Sequence, residues 1–156
     1  MGLDFDFSRL DAQDVLDLAI FVEDEAKEAY EQLMAWMKNQ GNTEAGDFFA
    51  RMARLEELHG RQIADLRHSM FGDVPPRHTR NIAWEVEAPD FEAMGKKVSL
   101  QDALLFALGA ETRAWDYYNG ALEYVHEPEV VRLLEGLRDA EKEHQRLLER
   151  EMAKIT

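Results

Sequence analysis

The sequence predicts an all-α fold, a four-helix bundle made of two helical hairpins joined by a long crossover. Three observations carry that expectation. Apolar residues recur three and four positions apart through four long segments. The chain has only four prolines and almost no sustained alternation of apolar and polar residues. One proline-bearing stretch, long for a connection inside a compact domain, separates the second segment from the third.

The first helix is expected over residues 11–39, opening at Asp11 or Asp14 and stopping at Gly41. The second, over 43–70, has Asn42 or Thr43 as its cap and fades between Ser69 and Gly72. The third, over 100–126, opens at Ser99-Leu100-Gln101-Asp102, which has the form of a capping box. The fourth, over 128–154, starts at Glu127-Pro128, where proline suits the first turn. Short links within each pair make each an antiparallel hairpin. The crossover, 71–98, carries Pro75, Pro76, Pro89 and Gly95. Such a segment lets the second and third helices run parallel, because the chain must first travel the length of the bundle. Trp84 and Phe91 are expected to pin it to the surface. With 156 residues the chain is read as a single domain, 1–156.

The two halves repeat. Ala19, Glu23, Ala26 and Tyr30 recur at a shift of 88 as Ala107, Glu111, Ala114 and Tyr118. In the second helix of each half the shift is 85, matching Met52, Glu56, His59 and Ile63 to Leu137, Glu141, His144 and Leu148. A duplicated hairpin accounts for this and gives the bundle approximate two-fold symmetry.

At about 100° per residue, the first helix buries Val15, Ala19, Val22, Glu23, Ala26, Tyr30 and Leu33 on one face. Phe49, Met52, Glu56, His59, Ile63 and Leu66 form the stripe of the second helix. The third contributes Leu104, Ala107, Leu108, Glu111, Trp115, Tyr118 and Leu122, and the fourth Val130, Leu134, Leu137, Glu141, His144, Leu148 and Ile155. Four glutamates therefore lie inside apolar stripes. An uncompensated buried carboxylate costs several kcal/mol, and Lys and Arg fall mostly off these stripes. Two divalent cations would neutralise four carboxylates, with oxygen and imidazole donors that suit iron or manganese. The plain alternatives are Glu23 and Glu111 as protonated core acids bonded to Tyr118 or Tyr30, and His59 and His144 as ordinary core histidines. Glu123-x-x-His126 repeats the spacing but turns off the apolar face, and is read as incidental. His68 and His78 are read as exposed.

Composition narrows the classes further. Cysteine is absent, which excludes disulfides, thiolate metal sites and iron–sulfur clusters within these residues. A net charge of −14 argues against nucleic acid or an anionic membrane as partner. No segment approaches the length of a membrane span and the N-terminus has no signal pattern, so a cytoplasmic location is expected.

The set Glu23, Glu56-x-x-His59, Glu111 and Glu141-x-x-His144 resembles the ferritin-like superfamily of carboxylate-bridged di-iron proteins, and within it the rubrerythrin branch. Ala19-Ile20-Phe21-Val22-Glu23 through Tyr30, and Asp139-Ala140-Glu141-Lys142-Glu143-His144, are the segments most like rubrerythrin. The resemblance implies a ferritin-like four-helix bundle holding two iron ions per chain, with manganese or zinc as substitutes. Glu56 and Glu141 would bridge them; Glu23, Glu111, His59 and His144 would be terminal ligands, with Tyr30 and Tyr118 orienting the carboxylates. It implies a non-haem di-iron oxidoreductase reducing peroxide or O₂, supplied by an external donor such as a rubredoxin or flavoprotein. It also implies a homodimer, for which Trp36, Met37 and Trp115 are the candidate apolar surface. A ferritin-like ferroxidase serving iron storage is the alternative, and a purely structural metal site a third reading. Two departures stand out. Rubrerythrins proper carry a rubredoxin domain with four cysteines, and an extra carboxylate one turn after the third-helix ligand; here that place is Ala114.

Overall fold

Residues 6–78 and 98–155 are described by the computed structural model. A 3₁₀ turn, Phe7–Arg9, precedes four helices: α1 (Ala12–Asn39), α2 (Thr43–Phe71), α3 (Leu100–Leu122) and α4 (Pro128–Ala153). No strand occurs among the described residues. Pro89, and with it Trp84 and Phe91, lies outside them.

Each helix begins where its local chemistry dictates. The Asp11 side chain accepts from the Asp14 N–H while Asp14 accepts from that of Asp11, a reciprocal cap for α1. Asn42 caps α2 by accepting from Ala45 N–H, and Ser99 caps α3 through Asp102 N–H. At α4 the first helical residue is Pro128, whose missing N–H would be unpaired there in any case. Gly41 (φ +83) and Gly72 (φ +66) close α1 and α2 in the left-handed region, where a Cβ would be strained.

Helix α3 stops at Leu122, earlier than the expected 126. The Glu123 and Tyr124 N–H groups reach back to Gly120 and Ala121 carbonyls, which tightens the chain into a turn. Val125 is then buried, and Glu127 is extended, as a residue before proline prefers. Helix α4 likewise ends before Ile155, which is exposed rather than part of the stripe.

Cross-helix contacts fix the directions. Tyr30 of α1 reaches Glu111 of α3, and Tyr118 of α3 reaches Glu23 of α1, so position ascends along one helix as it descends along the other. His59 faces Glu141 and His144 faces Glu56, which makes α2 and α4 antiparallel in the same way. Helices α2 and α3 therefore run parallel, and the crossover is required by topology.

Two apolar cores fill the bundle. One gathers Val15, Leu16, Val22, Ile63, Tyr117 and Leu134; the other Tyr30, Leu33, Phe49, Met52, Leu104 and Leu148. Burying side chains of this size contributes about 1.5–3 kcal/mol each. Glu23, Glu56, Glu111 and Glu141 lie between the two cores. Phe7 closes the first core, its ring 5.6 Å from that of Tyr117 and stacked 6.3 Å from that of Tyr124. Gly120 permits this approach, since a Cβ there would sit 2.6 Å from Phe7 Cε2.

A second buried polar group escaped the stripe reading. Arg67 is buried, and its Nε donates to Asp17 Oδ1 at 2.7 Å. The same guanidinium donates to the Gly72 carbonyl at 2.9 Å and to that of Val74. Gln13 Nε2 donates to the Pro75 carbonyl at 3.3 Å, and Arg77 Nη1 to Asp11 at 2.7 Å. The start of the crossover is thus tied to the first turns of α1. We expect Arg67→Met to lower unfolding stability by about 3–5 kcal/mol, because it leaves Asp17 as an uncompensated buried charge. Adding Asp17→Leu should restore most of that loss in a denaturant titration.

Candidate metal centre

All four helices supply the polar layer: Glu23 from α1, Glu56 and His59 from α2, Glu111 from α3, Glu141 and His144 from α4. The i, i+3 spacing on α2 and α4 places each carboxylate and its imidazole on one face. The four glutamates are fully buried, His144 nearly so, and His59 is partly exposed. Every residue singled out from the sequence as a ligand is brought into this layer.

The donors form two overlapping groups, Glu23, Glu56, His59 and Glu141 in one, Glu56, Glu111, Glu141 and His144 in the other. Within each, one atom per residue lies within 4.8 Å of all the others. His59 Nδ1 is 3.7 Å from Glu23 Oε1 and 3.8 Å from Glu141 Oε1. His144 Nδ1 is 2.6 Å from Glu56 Oε1 and 3.3 Å from Glu111 Oε1. The two imidazoles stack, with centroids 5.4 Å apart and planes 11° from parallel.

These short separations are not hydrogen bonds. Glu23 Oε2, Glu111 Oε2, both oxygens of Glu56 and of Glu141, and the Nδ1 atoms of His59 and His144 are buried without an aligned partner. Buried polar groups are ordinarily paired, and each orphan costs about 1–3 kcal/mol. Lone pairs converging on a common point from carboxylates and imidazoles are what a cation such as iron or manganese requires. The residues present therefore fit a metal centre, and two overlapping groups fit a pair of ions.

Electrostatics divides the carboxyls into two kinds. Burial, with the charges of Glu111 and Glu23, pushes Glu56 well above the usual carboxyl range. Glu141 is pushed well above it by burial and by Glu111, Glu56 and Glu23. Burial also opposes ionisation of Glu23, but the close approach of Glu56 and His59 and the hydrogen bond from Tyr118 outweigh it and hold the group below its ordinary value. Glu111 is held low in the same manner by Glu141, His144 and Tyr30. Burial and mutual repulsion thus favour the proton on the central pair, while the tyrosine and imidazole neighbours favour charge on the outer pair.

The tyrosines act across the halves. Tyr118 Oη donates to Glu23 Oε1 and Tyr30 Oη to Glu111 Oε1, both at 2.5 Å. Burial and the surrounding carboxylates raise both phenols well above their usual value, so each keeps its proton and remains a donor.

Other sequence expectations divide. Glu123 and His126 are exposed beyond α3, apart from the layer, and His68 is exposed beside Asp73. His78 is half-buried rather than exposed, its Nε2 3.2 Å from Asp14 Oδ1. Met37 is fully buried, which removes it from the expected apolar surface; Trp36 and Trp115 are half-buried. Ala114 packs in the first core, so no further carboxylate follows Glu111 by one turn.

Comparison with known proteins gives a consistent picture. The family model described as Rubrerythrin matches residues 14–152. A crystal structure of an uncharacterized conserved protein from Magnetospirillum magnetotacticum superposes with a TM-score of 0.79 at 27% identity, over 93% of this chain and 95% of that one. A Thermotoga maritima protein, proposed to be a ferritin-like diiron-carboxylate protein, gives 0.71 at 20% identity, over 94% and 97% of the two chains; that likeness speaks for the fold. No curated protein matches. No helix among the described residues is long and apolar enough to cross a membrane.

The carboxyl pattern sets a pH dependence for the metal-free protein. Glu56 and Glu141 have folded values above their unfolded ones, so their contribution is present below the unfolded value of about 4.5 and is lost as pH rises through the folded values. Glu23 and Glu111 act oppositely, and their contribution is lost only as pH falls through values below that. With chelator present, the melting temperature should therefore be higher near pH 5.5 than near pH 8. Glu56→Gln with Glu141→Gln should flatten that slope in calorimetry.

Proposed function

Because the chain belongs to the rubrerythrin family, we propose that it is a di-iron oxidoreductase that reduces peroxide or O₂ with electrons from an external donor. The observation that carries this reading is the pair of overlapping donor groups with their unpartnered buried atoms, placed between two apolar cores. Bound iron would supply the electron transfer to the oxidant.

Each residue then has a defined task. Glu56 and Glu141 belong to both donor groups and so would lie between the two ions. Glu23 with His59, and Glu111 with His144, would complete the outer sides. Tyr118 and Tyr30 fix the outer carboxylates by one hydrogen bond each, leaving Oε2 of Glu23 and of Glu111 free to turn inward. Cations compete with protons at Glu56 and Glu141, whose carboxyls burial pushes up, so uptake strengthens with rising pH. The apolar cores on either side limit water and strengthen the electrostatic hold on the ions. These residues contain no cysteine for a rubredoxin-type centre, so reducing equivalents would come from outside this bundle, from a donor such as a rubredoxin or flavoprotein. Pairing with a second copy through the half-buried Trp36 and Trp115 belongs to the same proposal.

An anaerobic Fe²⁺ titration, followed by divided addition of H₂O₂ or air, tests this. Saturation near two ions per chain with faster oxidation by peroxide is expected. Faster reaction with O₂ and iron uptake continuing past two ions would favour a ferroxidase feeding storage. Absence of saturable binding would overturn the metal-centre reading. Glu56→Ala or Glu141→Ala should abolish uptake of both ions, whereas Glu123→Ala should leave the iron content unchanged.

A further inference from the structure

The sequence repeat leads one to expect two equal halves of the centre, and the geometry does not deliver them. We infer that the two ion positions are inequivalent: the one beside His59 exchanges with solvent, while the one beside His144 is enclosed and holds its ion. This inference rests on the di-iron reading above and concerns which of this chain's residues control access.

Exposure gives the first observation. The four carboxylates are at most 1% exposed and the His144 side chain 5%, against 13% for His59. The stacked imidazoles therefore have an inner and an outer member, and His59 is the outer one. Whatever reaches the centre from water meets His59 first.

Donor spacing gives the second. His59 Nδ1 stands 3.7, 4.0 and 3.8 Å from Glu23, Glu56 and Glu141. His144 Nδ1 stands 2.6, 3.3 and 3.8 Å from Glu56, Glu111 and Glu141. The His144 group is gathered more closely by its own protein contacts, and the His59 group less so.

The residues around each imidazole explain the difference. At the shift of 85 that relates α2 to α4, Gly60 corresponds to Gln145. Gln145 is buried next to His144, whereas Gly60 places no side chain next to His59. Leu55 and Gln62, one turn to either side of His59, are exposed; their counterparts Ala140 and Leu147 are half-buried. One half of the repeat has a wall of side chains where the other leaves the imidazole open.

Release kinetics test this directly. The protein is loaded anaerobically with two equivalents of Fe²⁺ and mixed with excess ferrozine, and the coloured complex is followed. Two phases of equal amplitude are expected, the second slower by about tenfold or more, since differences in affinity appear chiefly as differences in off-rate. His59→Gln should retain only the slow ion. Gly60→Gln puts on α2 the side chain that α4 carries, and a Cβ there would meet only Glu23 Cβ at an ordinary 3.8 Å. That variant should slow the fast phase and leave the slow one unchanged. Circular dichroism checks that each variant is folded, and the unmodified protein alone decides the central point. A single phase for both ions, or loss of the slow ion in His59→Gln, would overturn the inference while leaving the di-iron reading intact. Failure to load two ions at all would overturn both.

Discussion

Four carboxyl groups enclosed in one layer of a helical bundle are the constraint around which this molecule is arranged. Left ionised together they would repel across a few ångströms in a medium that screens poorly. The fold limits the conflict by dividing labour. Phenol and imidazole contacts lower the carboxyls of Glu23 and Glu111, while burial and neighbouring charge push those of Glu56 and Glu141 up. The remaining cost falls on the orphaned oxygens and nitrogens, and it is offset by the apolar cores packed above and below. Such a layer is stability exchanged for reactivity: the same atoms that weaken the bundle are the ones that would grip a cation.

Much of this was legible in the residues. Glu23, Glu56, Glu111 and Glu141 stood out because each occupied a helical position that packing alone would have given to an aliphatic side chain. The repeat then aligned them with His59 and His144 without any structural information. Even the pairings Tyr118 with Glu23 and Tyr30 with Glu111 follow from placing two hairpins face to face. Helix starts were equally readable, since Asp11, Asn42 and Ser99 accept from N–H groups three positions on and Pro128 stands in the first turn, where no N–H is needed.

What resisted reading was non-local. Arg67 sits inside the bundle because Asp17, 50 positions earlier, and the carbonyls of Gly72 and Val74 receive its guanidinium. No periodicity announces such a partner. The end of α3 depended on Val125 finding a place in the core and on the restriction that Pro128 imposes upstream. Met37, expected at the apolar surface with Trp36 and Trp115, lies wholly within the second core. The approach of Phe7 to Gly120 required knowing that the Phe7–Arg9 turn packs against α3.

The sharing of Glu56 and Glu141 has a consequence for ancestry. The donor group containing His59 borrows Glu141 from the second hairpin, and the one containing His144 borrows Glu56 from the first. Neither hairpin owns a complete set. A forerunner with a single hairpin would have had to meet another copy of itself before either position could form, so its site would have appeared and vanished with protein concentration. With both hairpins in one chain, that encounter is intramolecular at any protein concentration. The two hairpins also need not be identical, and Gly60 against Gln145 is one position at which they differ.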